Sequence, residues 1–160
     1  MIKTIVFMKR RAGMSFDAFC DYWVHTHGRI AANLPGLKRL QFNLVRHDLL
    51  LQDGEWDGVA CAWFSDEKAY KAVGNSEAYK AMLDDEKNFM DTSRRAPLVV
   101  QPMAKIPPAA TMTSPTDDMI KTMVGLKHQP LITRESFNRY WRITHARKVC
   151  ALPHLQFCIQ

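Results

Sequence analysis

The opening of this chain returns 118 positions later without a slip of register. Met1-Ile-Lys-Thr-Ile-Val-Phe-Met-Lys9 reappears as Met119-Ile-Lys-Thr-Met-Val-Gly-Leu-Lys127. Phe19-Cys-Asp-Tyr-Trp-Val-His-Thr-His27 reappears as Phe137-Asn-Arg-Tyr-Trp-Arg-Ile-Thr-His145. Between 1–37 and 119–155, 15 of 37 positions are identical. Self-similarity at a fixed period marks repeated structural units. It also separates positions kept by a shared fold or pocket from positions free to drift.

The periodicity predicts the elements. Residues 2–9 are short, β-branched and apolar, as in a buried strand. Ser15 is placed to cap a helix over about 16–33, with Asp17 favourable to the helix dipole; Thr133 and Glu135 keep the same chemistry in the repeat. Phe16, Phe19, Cys20, Trp23, His27, Ile30 and Leu34 form one stripe along that helix, which Pro35-Gly36 ends. Residues 37–48 alternate as a half-buried strand, with Leu40, Phe42 and Leu44 opposite Arg39, Gln41, Asn43 and His47. A third strand spans Val59 to Phe64, two helices follow from Ser65 and Ser76, and Pro97 to Lys105 reads as an edge strand. The order β-α-β-β-α-β predicts an α+β, ferredoxin-like fold: a four-stranded antiparallel sheet with its helices on one face.

A chain of 160 residues suits one domain and part of another. The reading is a complete domain over 1–105, a linker over 106–118 rich in Pro, Thr and Ser, and a partial β-α-β repeat over 119–160. A half copy cannot cover the sheet's open face, so self-association or partial disorder is expected after about residue 106. Charge is uneven. Residues 1–118 balance at zero, whereas 119–160 carry seven basic residues against Glu135 alone. These charges are scattered without aromatic interleaving, which argues against a nucleic-acid partner. No apolar run approaches the ~18 residues of a membrane span, and no signal-like segment opens the chain, so a cytoplasmic location is expected. Cys20, Cys61, Cys150 and Cys158 lack metal-ligand spacing and read as separate reduced thiols.

His27 is the candidate acid or base. It lies on the apolar helix stripe and recurs as His145. It reads either as a packed core histidine or as a group whose pKa burial moves across neutral pH. His25 is the contrast: it lies off the stripe and becomes Ile143 in the repeat. The two histidines, two positions apart, do not face each other as a metal pair. Tyr22 and Trp23 recur as Tyr140 and Trp141. They read either as core aromatics or as a pocket wall, with the phenol donating to a substrate oxygen. Asn43 and Trp63 are further candidate substrate contacts, on the second and third strands. Phosphate-binding glycine loops, nucleophile elbows, dinucleotide fingerprints and zinc-protease helices are all missing from the sequence.

The segments Ser15-Phe-Asp-Ala-Phe19, Tyr22-Trp23, His27-Gly28, Leu34-Pro-Gly-Leu37 and the stretch from Asp57-Gly58-Val59 to Trp63-Phe64 resemble the EthD family, within the dimeric α+β barrel superfamily. Arg29 stands where the family commonly has proline, and the repeat has Ala146 in place of Gly28. The resemblance implies a sheet that dimerises into a barrel and an apolar cavity between sheet and helices. It implies relatives that include ether-degradation accessory proteins, lactone isomerases and polyketide cyclases. His27 matches the family's helix histidine. The expected activity is a cofactor-free, metal-free proton transfer (isomerase, cyclase or dehydratase type) on a small cyclic or aromatic apolar compound. The alternatives are a cofactor-free oxidoreductase or monooxygenase in the same pocket, and a non-catalytic binding or accessory module. The expected partners are a small apolar molecule and a second copy, docked through the sheet face.

Overall fold

The computed structural model describes residues 1–50, 54–101, 105–106, 119–153, 155 and 158–159. The chain divides into two compact units, Met1–Gln101 and Pro102–Gln160. In the first, β1 (Ile2–Met8), β2 (Leu37–Leu44), β3 (Gly58–Phe64) and β4 (Ala96–Val100) form one sheet in the order β2-β3-β1-β4. Every neighbour pair is antiparallel. This is the expected ferredoxin-like α+β arrangement. Of the edge strand expected over 97–105, β4 stops at Val100, and 102–104 lie outside the described residues.

The helix after β1, here α1, has three consecutive parts: α-helical Phe16–Asp21, π-helical Tyr22–His27 and α-helical Gly28–Ala31. Ser15 caps it as expected, its hydroxyl accepting from the Ala18 amide at 3.2 Å. Gly36 lies at φ 71, where a side chain strains the backbone, and its missing Cβ leaves room for Ala69. Two more helices follow β3: α2 (Glu67–Val73), capped by Asp66, and α3 (Glu77–Glu86), capped by Ser76.

Two apolar clusters fill the space between helices and sheet. Met8, Phe19, Trp23, Phe89 and Met90 form one; Ala31, Leu34, Phe64, Val73 and Met82 form the other. Trp23 fixes their closeness. A Cβ at Gly58 would lie 2.4 Å from its ring, so only glycine lets β3 approach the indole. With this face assigned, strand alternation puts Lys3, Ile5, Phe7, Gln41, Asn43, Cys61 and Trp63 on the opposite face.

The second unit has a helix, α4, built like α1: α-helical Arg134–Arg139, π-helical Tyr140–His145 and α-helical Ala146–Cys150. Thr133 caps it through the Ser136 amide at 3.2 Å. A short pair, β5 (Lys105–Ile106) and β6 (Cys158–Ile159), is antiparallel. Residues 119–129, which repeat β1, form no strand. This corrects the expectation of a repeated β1. A helix closes its own hydrogen bonds, whereas a strand needs neighbours, and β1 has β3 and β4 on its two sides. Most of the expected linker, 107–118, lies outside the described residues. Among the described residues, no helix is long and apolar enough to cross a membrane.

Candidate active site

The π-helical turn is where the candidate residues gather. In an α-helix each residue turns about 100°, so positions five apart diverge by roughly 140°. A π turn closes hydrogen bonds at that spacing and brings the two positions back toward one face. Tyr22 and His27 are the first and last residues of this turn. Both reach one carboxylate at the C-terminal end of α3. Tyr22 donates its hydroxyl to Asp85 Oδ1 at 2.7 Å, and His27 Nδ1 lies 2.8 Å from Asp85 Oδ2. Asn88 Nδ2 donates to Asp85 Oδ1 at 3.1 Å and to the Tyr22 hydroxyl at 3.2 Å.

Phe89 closes the cluster, stacking on Tyr22 at 5.6 Å and packing against His27 at 4.6 Å between ring centroids. Three backbone contacts hold it there. The Arg11 amide donates to the Phe89 carbonyl, the Asp91 amide to the Lys9 carbonyl, and Arg10 bridges to Met90.

Burial sets the charge state. His27 is 5% exposed. Desolvation lowers its pKa below the ordinary histidine range and outweighs the pull of Asp85 upward. Burial also pushes Asp85 upward, yet hydrogen bonds from Tyr22, His27 and Asn88 prevail and leave it lowered. The bond to Asp85 raises the Tyr22 hydroxyl, and burial adds to it. At neutral pH the pair is therefore a neutral imidazole donating Nδ1–H to a carboxylate. Nε2 keeps its lone pair and has no hydrogen-bond partner among the described residues. Next to Asp85, burial raises Glu86, and its ion pair with Arg95 Nε at 3.0 Å opposes this. Arg95 also disfavours protonation of His27.

A second buried carboxylate ties the strand ends together. Asp57 is fully enclosed and accepts from the Arg10 amide and guanidinium, both at 2.9 Å, and from Lys9 Nζ at 3.3 Å. His47 Nε2 lies 2.9 Å from Asp57 Oδ1 but is not aligned for a hydrogen bond. These residues join the end of β1, the turn after β2 and the start of β3, a structural role.

The other candidates are placed elsewhere. Trp23 is completely buried between Phe19 and Phe42, and its enclosed indole N–H meets no acceptor among the described residues. The Tyr22 phenol, which reads in the sequence either as core packing or as a donor to a substrate oxygen, stays beside His27 and donates to Asp85. Asn43 and Trp63 lie on the sheet's far face. Asn43 donates to the Val59 carbonyl at 2.8 Å. Trp63 stands directly across from Lys3 and Arg39, whose charged groups lie 5.0 and 4.9 Å from its ring centroid. His25 is exposed. In the second unit, Arg142, Ile143, Ala146, Arg147 and Cys150 line an open depression of about 430 Å³. Among the described residues, no three His, Cys, Asp or Glu side chains converge as metal ligands.

Asp85 is hidden in the sequence by the run Asp84-Asp85-Glu86, which looks like a solvated face. The signal was its spacing: Met82, Asp85, Glu86 and Phe89 fall on one helical stripe, and all four are buried.

Residues 11–93 match the family model described as the EthD domain. The 4-carboxymethyl-4-methylbutenolide mutase of Pseudomonas reinekei is 27% identical over 96 residues, which cover 56% of this chain and 89% of that protein. An EthD family protein from Bacillus halodurans superposes with a TM-score of 0.54 at 14% identity, covering 64% of this chain and 100% of that one. A DABB family protein with a ferredoxin-like fold from Mesorhizobium loti gives 0.50 at 12% identity, covering 64% and 97%. At these identities the two structures speak to the fold alone.

Proposed function

We propose, from the premise that this chain belongs to the EthD domain family, that it is a cofactor-free enzyme moving a proton on a small cyclic, largely apolar carbonyl compound. The observation that carries this reading is the state of His27: neutral, anchored through Nδ1 to Asp85 at 2.8 Å, with Nε2 unpaired among the described residues. Nε2 removes a proton from carbon beside the carbonyl and becomes N–H. The resulting imidazolium is stabilised by the ionised Asp85 next to it. Returning the proton to another carbon completes an isomerisation; in a lactone with no hydrogen on the carbon bearing the ring oxygen, the C–O bond opened by elimination closes again at another carbon before the proton returns, so protons and electrons balance. A positioned general base of this kind contributes about 10²–10⁴-fold. Asp85 fixes the tautomer and ring orientation; Tyr22 and Asn88 hold Asp85 ionised and in place. These three are positioning residues.

The butenolide mutase supports an unsaturated lactone as the first substrate to try. Incubation with 4-carboxymethyl-4-methylbutenolide and related lactones should give an isomeric product without oxygen uptake. His27→Gln, which keeps a polar side chain of similar length, should lower the rate about 10²–10⁴-fold while leaving the fold intact. Equal turnover by the variant removes His27 from the mechanism, and oxygen uptake matched to product points to an oxygenase.

We also propose pairing with a second copy through the sheet face that carries Ile5, Phe7 and Leu98, because Leu98 is apolar and exposed there.

A further inference from the structure

The second unit leaves open a face that its counterpart in the first unit covers. Met8 and Leu34 are buried in the first core, whereas their repeats Leu126 and Leu152 are 50% and 56% exposed. Trp23 is fully enclosed, and Trp141 is only partly covered. Yet α4 forms with the same cap and the same six-residue π turn. Tyr140 and His145 therefore stand in the register that, in α1, presents Tyr22 and His27 to Asp85. Neither meets a carboxylate among the described residues. Glu135, the one acidic residue in 119–160, lies 3.3 Å from Arg139.

Charge describes what fits this face. In the first unit, residues 1–37 carry five basic and two acidic side chains and pack against residues 38–101, which carry nine basic and eleven acidic ones. A basic half is thus matched by an acidic half. In 119–160 the basic half is more extreme, seven to one. A second copy of that half would add like charge, which opposes self-pairing.

We propose that the open face of 119–160 is a docking surface for an acidic strand–strand–helix–strand segment of the kind that residues 38–101 form, with a helix carboxylate seated between Tyr140 and His145. The proposal commits to chemistry on three points: apolar side chains for Leu126, Trp141 and Leu152, net negative charge, and one carboxylate aimed at the π turn.

The test joins a second copy of residues 38–101 after Leu155 of the full chain and follows amide hydrogen exchange. Protection over 120–127 and 133–150 should rise about 10-fold or more above the parent chain, toward that of 2–8 and 16–31. His145 should take on an Nδ1–H tautomer. A second fusion with Asp85→Asn in the added copy should keep the protection and lose the tautomer preference. Unchanged exchange over 119–155 overturns the docking. Protection without any change at His145 overturns the carboxylate seat. A parent chain that already protects 120–127 as well as 2–8 by pairing with itself overturns the choice of occupant.

Discussion

Tyr22 and His27, five positions apart, hold the two oxygens of one carboxylate at 2.7 and 2.8 Å. The π turn between them creates this geometry, because an ordinary helix would point them apart. Asp85→Asn should therefore do more than remove a charge. The amide leaves the His27 tautomer unfixed, and the rate of proton transfer should drop by at least about 10²-fold with the fold retained. Tyr22→Phe should act mainly on stability, costing about 1.5–3 kcal/mol as the hydroxyl's bond to the ionised Asp85 and the one it accepts from Asn88 are lost. Steady-state kinetics and denaturant melts on both variants separate the two effects.

The pH dependence follows from the direction of each shift. The His27 pKa is lowered in the folded chain, so the unfolded chain takes up the proton first. The His27 contribution is complete above the ordinary histidine value of ~6.5 and is lost as pH falls below it. Asp85, also lowered, adds a further loss beginning below ~4. Glu86 is raised and works in the opposite direction, favouring the folded state as acid protonates it. The difference between wild-type and His27→Gln stability curves isolates the first effect. It should shrink as pH falls below ~6.5, and a difference that grows there would contradict the assignment.

Gly58 and Trp23 make a packing prediction. Gly58→Ala puts a methyl group 2.4 Å from the indole, so the strand or the ring must move. Overpacking of this sort costs about 1–3 kcal/mol. Thermal unfolding should show it, and a smaller residue at position 23 in the double variant should recover part of the loss.

Asp57 predicts a larger effect. It is enclosed and serves Lys9 and the Arg10 backbone and side chain. Asp57→Ala leaves those donors without their acceptor, at a cost of about 3–5 kcal/mol. Asp48→Ala, whose exposed partner Arg46 sits two residues away, should leave stability nearly unchanged.

The fold was legible where the sequence carries local signals. Ser15, Asp66 and Ser76 announce helix starts, and all three cap their helices. Alternation in Leu40, Phe42 and Asn43 assigned the faces of β2. The π turn was not legible, because the stripe from Phe19 to Leu34 fits an ordinary helix nearly as well. Asp85 and Asp57 were missed for a related reason. A buried acid is recognisable only through partners distant in sequence, 58 residues for Asp85 and His27 and 47 for Asp57 and Arg10. The repeat carried a mixed message. It kept Tyr22, Trp23 and His27 together, and it suggested a second β1 that does not form over 119–129.

The sheet face gives a prediction about assembly. If two copies pair there, Leu98→Lys places a charge in the contact and should turn a dimer into a monomer by light scattering, with the helix signal unchanged. A variant that stays dimeric moves the contact elsewhere.

The central claim is that His27 stands as a neutral base locked by Asp85. Nitrogen NMR of the labelled imidazoles at neutral pH tests it most directly. The result expected is a proton on Nδ1, a bare Nε2, and a titration midpoint below ~6.5 that falls further in Asp85→Asn, because the carboxylate that favours the imidazolium is gone. A proton on Nε2, or a midpoint above the ordinary histidine value, would contradict the claim.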